Sequence, residues 1–193
     1  MLGDAADVQV SDLTQHGDLP VVEETGQTFL ANACLKASEY ARLLKVWSLA
    51  DDSGLAVDAL EGQPGVFSAR WAALHDAGSG DADNNALLLR QLAHIPPERR
   101  TARFVCSLAL ADPSGRVILT VSDAVEGTIL PEPKGAGGFG YDPLFFVEGL
   151  GMTTAELPPD DKHRISHRGK AMRRLIGLMR RIRWPLPGES NPI

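Results

Sequence analysis

The sequence predicts an α/β or α+β protein with a mixed β-sheet, and three observations support this prediction. Patterns typical of helices and strands follow one another in the order helix, strand, hairpin and helix. Hydrophobic residues make up 44% of the chain and charged residues 23%, as in ordinary globular domains. A length of 193 residues suits one domain with a buried core. We therefore expect a single domain over 1–183, followed by a disordered tail at 184–193.

Four elements are predicted in the first half of the chain. Apolar residues spaced three or four apart predict helices, and short apolar runs predict strands. In chain order these are a helix at 28–44, strands at 45–50 and 55–60, and a helix at 81–95. Thr25 or Thr28 is suited to cap the first helix, and Pro96 and Pro97 end the second. The polar residues 51–54 are therefore expected in a turn at the end of a strand.

The second half of the chain is predicted to contain a hairpin, a glycine-rich loop and a basic helix. Two strand-like segments flank the turn sequence DPSG, which is a strong hairpin signal. In chain order the elements are strands at 101–110 and 116–127, an irregular loop at 131–143, a short strand at 144–147 and a helix at 166–182.

Charge is distributed unevenly along the chain. The formal net charge is −6, but residues 162–193 carry nine Lys and Arg against one Glu, a balance of +8 that leaves −14 for residues 1–161. Such asymmetry suggests a bound anion near the C-terminal part, although the solvated face of an amphipathic helix is the simpler explanation for most of the arginines. A strongly acidic body would repel a nucleic-acid backbone, so a compact polyanionic small molecule fits better.

The sequence contains no signal for secretion or membrane insertion. No apolar run approaches the roughly 18–20 residues that a membrane span needs, and the N-terminus has neither a basic start nor an apolar signal core. Cys34 and Cys106 form neither a metal-binding nor a disulfide framework. We therefore expect a cytoplasmic protein with no membrane partner, in which both cysteines are reduced and buried.

The acidic sequence Asp51–Asp52–Ser53–Gly54 is the first candidate site. Adjacent carboxylates at the end of a strand can hold Mg²⁺ together with substrate phosphates, and one of them can take a proton from an attacking water. The alternative is a plain turn, for which Asp, Ser and Gly are favoured. A second acidic pair, Glu23–Glu24, precedes the first helix and either binds metal or complements the helix dipole.

The glycine-rich sequence KGAGGFGYDP is the second candidate site. Its glycines would let backbone amides approach a ligand closely, and Phe139 and Tyr141 offer rings that can stack on a base. The sequence matches neither the phosphate-binding loop that ends in Gly-Lys-Ser/Thr nor the dinucleotide fingerprint. A glycine-rich hairpin loop without a ligand explains it equally well.

The basic sequence DKHRISHRGK is the third candidate site. Lys162, His167 and Arg168 lie at the start of a predicted helix, where free backbone N–H groups favour phosphate, and Ser166 is a suitable cap. An arginine can grip a phosphate or a carbonyl oxygen with two donors. The alternative is a capped basic helix that binds nothing.

Together, these segments resemble one known family. The sequences EETGQTF, NACLKA, ADDSGLAVDALEGQPGVFSARW, GGFGYDPLFF, AEL and ISHRGKAM closely resemble the inosine triphosphate pyrophosphatases, or XTP/dITP diphosphatases, from about Glu23 to Leu178. The resemblance implies an α/β fold with a long mixed central sheet flanked by helices, and a cleft between two lobes. It also implies a Mg²⁺-dependent homodimer that hydrolyses deaminated purine nucleoside triphosphates (ITP, dITP and XTP) to the monophosphate and pyrophosphate.

The resemblance also assigns roles to individual residues. Asp52 resembles the family's metal-linked carboxylate and general base, and Glu23 or Glu24 resembles a second metal ligand. The residues expected to bind substrate are Ser53, the nucleoside-binding segment Phe139, Gly140, Tyr141 and Asp142, and the base- and phosphate-holding groups Lys162, His167 and Arg168. The adjacent charges of Asp51 and Asp52 would then tolerate each other because a cation and a polyphosphate complete the site.

One feature of the family is missing. Its members usually open with a strand and a Thr/Ser-x-Asn-x-x-Lys loop that contacts the triphosphate, whereas residues 1–22 contain no Lys or Arg. We therefore expect an N-terminally truncated chain. Two alternatives to an active enzyme stay open: a degenerate member with weak or no activity, and a nucleic-acid-binding module that uses the basic C-terminal helix. The low aromatic content of 6% counts against the second.

Overall fold

The protein is built around a five-stranded antiparallel sheet. The computed structural model describes residues 9–181. The strands are β1 (Ser48–Val57), β2 (Thr101–Ala111), β3 (Val117–Ile129), β4 (Phe145–Val147) and β5 (Met152–Thr153). The helices are α1 (Phe29–Leu44), α2 (Asp81–Gln91), α3 (Pro159–Ile165) and α4 (His167–Arg181). Within residues 9–181 each strand pairs with the next one along the chain, so β1 and β5 are the two edge strands of the described sheet.

Helices α1 and α4 cover opposite faces of the sheet. Successive side chains of a strand point to opposite faces, so odd and even positions of β2 meet different helices. On one face the cluster consists of alanines: Ala33, Ala37 and Ala41 of α1 with Ala109 and Ala111 of β2. On the other face the cluster consists of larger side chains: Leu175 and Met179 of α4 with Cys106, Leu108 and Leu110 of β2. The far end of the sheet packs against α2 in a separate cluster.

The helix predicted at 28–44 is confirmed, together with one of its two proposed caps. The Thr28 hydroxyl accepts a hydrogen bond from the Ala31 N–H at 3.1 Å, which satisfies one of the free donors of the first turn. The helix ends at Leu44 and is capped by Lys45, which adopts a left-handed conformation with φ of 58°. Among residues 9–181, no helix is both long enough and apolar enough to cross a membrane.

The prediction of two strands separated by a turn at 51–54 is wrong. Strand β1 runs without interruption through these residues and pairs with β2 from Ser48↔Ala111 to Val57↔Ala102. Ten consecutive residue pairs with β2 outweigh the local turn preference of Asp, Ser and Gly. The polar side chains of β1 lie on the two faces of the sheet, where Asp51 is 43% exposed and Asp52 is buried.

The sheet and α2 differ from the sequence prediction in detail. The α/β class is confirmed, but every strand pair within residues 9–181 is antiparallel where a mixed sheet was expected. The reason is that each connection returns the chain beside the preceding strand in the opposite direction. Helix α2 stops at Gln91 instead of 95, and beyond its end the Arg100 guanidinium donates hydrogen bonds to the carbonyl oxygens of Leu92 and Ile95.

The predicted hairpin, the irregular glycine-rich loop and the basic helix are all present. The basic helix begins at His167, and the Ser166 hydroxyl accepts a hydrogen bond from the Gly169 N–H at 3.0 Å, as expected of a cap. The short helix α3 before it was not predicted. The C-terminal end of the predicted helix at residue 182 and the tail at 184–193 lie outside the described residues.

Gly54 is the position in β1 where a side chain is least tolerated. A Cβ atom there would lie 2.8 Å from the Gly65 carbonyl oxygen and 2.9 Å from Cε1 of Phe29, and closer still to the Ser68 hydroxyl. We expect Gly54→Ala to lower the free energy of unfolding by about 1–3 kcal/mol. Chemical denaturation measures this, with Gly177→Ala in open space on α4 as the control that should not destabilise. Equal stability of the two variants would contradict the close approach.

Candidate active site

One pocket of about 550 Å³ opens between the start of α2, the glycine-rich loop and the junction of α3 with α4. This volume lies within the range of roughly 300–1,000 Å³ that is usual for small-molecule sites. All eight residues predicted to bind substrate line the pocket: Ser53, Phe139, Gly140, Tyr141, Asp142, Lys162, His167 and Arg168. The fold therefore brings together segments that lie as far as 115 positions apart in the sequence.

Phe139 presents an aromatic face in this pocket. The residue is 61% exposed, although large apolar side chains are usually covered. The Lys162 ammonium nitrogen lies 4.8 Å from the ring centroid, and the Arg168 guanidinium carbon lies 5.6 Å from it. Both distances are within the range of cation–π attraction. An exposed ring flanked by two cations is suited to a planar, electron-rich ligand that carries negative charge.

Asp142 holds the glycine-rich loop in shape. Its buried carboxylate accepts hydrogen bonds from the Phe139 N–H at 2.7 Å and from the Thr154 hydroxyl at 2.8 Å, and it pairs with Lys162. Gly138, with φ of 76°, passes so close to this carboxylate that a side chain there would collide with it. Asp142 thus fixes the positions of both Phe139 and Lys162.

Tyr141 does not offer a stacking face, contrary to one sequence interpretation. Its ring is 3% exposed and packs in the core, while its hydroxyl donates a hydrogen bond to the Ser68 carbonyl at 2.9 Å. Burial raises the pKa of this hydroxyl, so it stays neutral. The neighbouring Gly140 is held from α2, where Asp81 accepts its N–H and Asn85 donates to its carbonyl at 2.9 Å.

His167 lies half-buried at the back of the pocket. Its ring stacks on Phe104, with 5.0 Å between centroids and 18° between planes. Burial, together with the charge of the adjacent Arg168, lowers the pKa of His167 to about 4. The imidazole is therefore neutral near pH 7, and a neutral imidazole has one donor and one acceptor to offer a ligand.

Asp51 and Asp52 point to opposite faces of the sheet, which rules out the interpretation that both share one cation. They are consecutive residues of a regular strand, so their side chains alternate. Asp51 and Ser53 lie on the α4 face, where both contact Arg168. Asp52 lies on the α1 face, where it contacts Asn32 and Lys36. The pleat of the strand separates the two charges.

Asp52 belongs to a compact polar cluster with α1 and the segment before it. One carboxylate oxygen accepts a hydrogen bond from Lys36 at 3.1 Å and the other from the Asn32 amide at 3.2 Å. The Lys36 ammonium also binds Glu24 at 2.7 Å, and Arg70 lies 3.7 Å from the second oxygen of Glu24. Lys36 thus lies between two carboxylates that are 27% and 11% exposed.

The electrostatics of this cluster suit a group that accepts a proton. Burial raises the pKa of the Asp52 carboxyl, and this effect outweighs the opposing hydrogen bonds and charge of Lys36. Burial alone would lower the pKa of Lys36, but the hydrogen bonds that Lys36 donates to Glu24 and Asp52, together with their negative charges, raise it overall. Lys36 therefore stays charged, and Asp52 is a stronger base than an exposed aspartate.

Glu24 and Asp52 are the carboxylates suited to hold a metal ion. Across residues 9–181, no set of three or more His, Cys, Asp and Glu side chains is arranged to bind a metal. Mg²⁺, however, commonly uses one or two protein carboxylates and fills its remaining positions with water and phosphate oxygens. Two carboxylates that already accommodate an ammonium between them fit this preference. Glu23 is exposed, and its carboxylate makes no hydrogen bond or ion pair with the described residues.

Comparison with known proteins places this architecture in a family. The model of the Ham1 family matches residues 1–178. The chain belongs to the Ham1 family. Curated members similar to it include the dITP/XTP pyrophosphatase of Exiguobacterium sibiricum, which is 53% identical over 166 residues that cover 86% of this chain and 82% of that protein. The dITP/XTP pyrophosphatase of Geobacter sulfurreducens is 52% identical over 155 residues, covering 80% and 76% respectively.

Solved structures of Ham1 proteins share the fold. A HAM1 protein from Coxiella burnetii aligns with a TM-score of 0.77 and 40% identity over 84% of this chain and 81% of that one. A nucleoside-triphosphatase / dITP/XTP pyrophosphatase from Mycobacterium abscessus aligns with a TM-score of 0.76 and 43% identity over 92% and 89%. The resemblance inferred from the sequence motifs and the α/β fold are thereby confirmed.

Two polar residues of the Asp52 cluster were not predicted from the sequence. Asn32 and Lys36 lie four positions apart on α1, and their side chains meet Asp52 on β1. A signal for them was present, because both interrupt the otherwise apolar stripe of an amphipathic helix. Asn32 is fully buried, and its amide oxygen also accepts the Gly26 N–H at 2.8 Å, so it ties Asp52 to the segment that carries Glu24.

Proposed function

We propose that this chain hydrolyses deaminated purine nucleoside triphosphates, such as ITP, dITP and XTP, to the monophosphate and pyrophosphate, and so removes them from the nucleotide pool. The observation that carries the proposal is a single pocket lined by all eight predicted substrate residues, next to a cluster of two carboxylates and a lysine. The names of relatives that are about half identical to this chain support it.

The pocket has the chemistry needed to select a 6-keto purine. The base would stack on Phe139, and the donors of Arg168 and Lys162 would meet the keto oxygen or the nearby phosphates. A keto oxygen at purine C6 accepts hydrogen bonds, whereas the amino group of adenine donates there. ATP would leave these donors unpaired, and a site with unpaired polar groups rejects such a ligand strongly.

The phosphates would extend from this pocket to the Asp52 cluster. Ser53 lines the pocket on one face of β1, and Asp52 begins the cluster on the other face. Within residues 9–181 no strand pairs with the outer side of β1, and the phosphate chain would pass around this edge between the two sites. Asp52 would take a proton from the water that attacks the α-phosphorus, as pyrophosphate departs from the opposite side.

The cations around the phosphates would balance the charge of the reaction. Lys36 is held beside Asp52 by Glu24, so its ammonium is in place before substrate arrives. Glu24 and Asp52 are the residues that would hold Mg²⁺, which when bound would neutralise charge on the phosphates. We further propose a cytoplasmic homodimer, in accordance with the family resemblance. Light scattering tests the dimer.

Pyrophosphate release from ITP, dITP, XTP and ATP, measured with Mg²⁺, tests the proposed activity. We expect kcat/KM for the first three substrates to exceed that for ATP by at least about a hundredfold. A folded chain that releases no pyrophosphate from any of the four would support the degenerate-member alternative. DNA or RNA binding with a steep dependence on salt, in the absence of hydrolysis, would support the nucleic-acid-binding module.

Arg168→Ala tests the base-binding half of the pocket. We expect the KM for ITP to rise by about ten- to a hundredfold and the preference for ITP over ATP to fall, because a charged donor facing the base is lost. Steady-state kinetics on both substrates measure this. Arg42→Ala, which removes an exposed arginine paired with Glu39 on α1, is the control. An ITP/ATP ratio that stays at the wild-type value would contradict the assignment of Arg168 to the base.

A further inference from the structure

Asp51 has no role in the reaction derived above, although it lies next to the nucleotide pocket. Its partner in β2 is Leu108, which packs against α4, so Asp51 lies on the α4 face of the sheet. Its side chain is 43% exposed, and it contacts Ser53 and Arg168, which both line the pocket. The pleat of β1 separates it from Asp52 and from the carboxylate–lysine cluster.

The Asp51 carboxylate forms a three-way contact with two pocket residues. One oxygen, Oδ2, accepts two hydrogen bonds: one from Nε of Arg168 at 3.1 Å and one from the Ser53 hydroxyl at 3.1 Å. The same Arg168 Nε also lies 3.1 Å from the Ser53 oxygen. Asp51 of β1 thereby contacts Arg168 at the start of α4.

This contact leaves the terminal nitrogens of the Arg168 guanidinium available to a ligand. Only Nε is engaged, and within residues 9–181 the two terminal nitrogens of the guanidinium form no hydrogen bond. These nitrogens carry donors in a planar fork, which a carbonyl oxygen or a ring nitrogen of a purine can accept. The guanidinium carbon also remains 5.6 Å from the Phe139 ring, where a base would stack.

The ion pair between Asp51 and Arg168 orients the arginine side chain and adds little to the stability of the fold. Arg168 is 50% exposed, and ion pairs at such positions add little to the free energy of folding. A long arginine side chain that is already held in one geometry, however, loses less conformational entropy when a ligand binds. The pair therefore prepares Arg168 for the ligand before the ligand arrives.

We propose that Asp51 is a positioning residue of the nucleotide pocket, which orients the Arg168 guanidinium toward the purine and thereby sets the discrimination between 6-keto and 6-amino bases. This inference rests on the proposed function, and it goes beyond it by giving Asp51 a role separate from metal binding and proton transfer. It predicts that the two adjacent aspartates have different kinetic effects.

Steady-state kinetics of Asp51→Asn on ITP and ATP test the inference. The substitution keeps the shape of the side chain and removes its charge. We expect the ITP/ATP ratio of kcat/KM to fall about tenfold, mainly through KM for ITP, while kcat stays within about threefold of wild type. The control is Glu39→Gln, which removes the acidic partner of Arg42 in an exposed ion pair on α1, far along the chain from the pocket. Thermal unfolding midpoints of both variants should lie within about 2 °C of wild type.

A double-mutant cycle separates positioning from a general effect on the pocket. If Asp51 acts through Arg168, Asp51→Asn should not change the ITP/ATP ratio further once Arg168→Ala is present. Additive effects of the two substitutions would overturn the inference, and so would a ratio for Asp51→Asn equal to that of Glu39→Gln. A wild-type chain that neither hydrolyses nor binds these nucleotides would overturn the proposed function and this inference with it. Active wild type with an unaffected Asp51→Asn variant would overturn the inference alone.

Discussion

Asp52→Asn is expected to reduce kcat for ITP by about a thousandfold or more. The amide cannot accept the proton of the attacking water, and general-base catalysis typically contributes about 10²–10⁴ in rate. KM should change less than kcat, because the eight residues proposed to bind the nucleotide in the pocket are unaltered by this substitution. Pyrophosphate release under saturating ITP measures the effect.

Asp52 should change the pH dependence of stability in the direction opposite to that of an ordinary surface aspartate. Burial raises the pKa of Asp52 in the folded protein, so protonation favours the fold and this stabilisation is lost as pH rises from 3.8 through the folded pKa. Without metal, wild type should therefore lose stability relative to Asp52→Asn across that interval. Hydrogen bonds from Thr101 and Arg103 lower the pKa of Asp58, so its contribution is present above 3.8 and is lost as pH falls.

Asp58→Asn is accordingly the matched control for Asp52→Asn. It should keep full activity, since Asp58 follows the C-terminal end of β1 and pairs with Arg103 on the surface. Denaturation at several pH values compares the two variants. Near-normal turnover by Asp52→Asn would remove Asp52 from its role as the base. An identical pH dependence of stability in both variants would contradict the burial of its carboxylate.

Lys36→Met is expected to have the second largest effect, with activity lowered by about a hundredfold or more. Glu24 and Asp52 would then face each other without the ammonium that lies 2.7 Å from one and 3.1 Å from the other. Removing one partner of a largely buried ion pair is strongly destabilising, and we expect a loss of about 2–4 kcal/mol in the free energy of unfolding without metal. The pKa of Asp52 should rise further, because its main stabilising charge is gone.

Metal dependence gives this prediction a second measurement. Mg²⁺ should stabilise Lys36→Met more than it stabilises wild type, because the metal then supplies a positive charge that the lysine no longer provides. Lys170→Met is the control, since Lys170 donates to the Ala124 carbonyl and has no carboxylate partner among the described residues. Thermal unfolding with Mg²⁺ and with a chelator tests this. Equal responses of Lys36→Met and Lys170→Met would contradict a shared role of Lys36 and metal.

Local patterns predicted the elements that depend on neighbouring residues. The capped helix α1, the β2–β3 hairpin and the irregular loop at 131–143 follow from apolar spacing, capping residues and turn chemistry. The same local reasoning placed a turn at 51–54, where the structure has a continuous strand. Pairing with β2, about fifty residues further along the chain, decides that question, and a local pattern contains no information about it.

The division of Asp51 from Asp52 illustrates what the sequence left open. Two adjacent aspartates predict one acidic site, but consecutive side chains of a strand point to opposite faces of the sheet. Their roles then depend on which helix covers each face: α1 brings Asn32 and Lys36 to Asp52, and α4 brings Arg168 to Asp51. These contacts join residues 16 to 117 positions apart.

The sequence by itself determined the family, most of the regular elements and eight residues that line one pocket, because motif order and short-range periodicity are written in the chain. Only the tertiary structure decided that β1 is unbroken, that Tyr141 is buried beside the exposed Phe139, and that Lys36 connects Glu24 to Asp52. Each of these depends on long-range packing, in which the position of a side chain is set by what covers it and not by its neighbours in sequence.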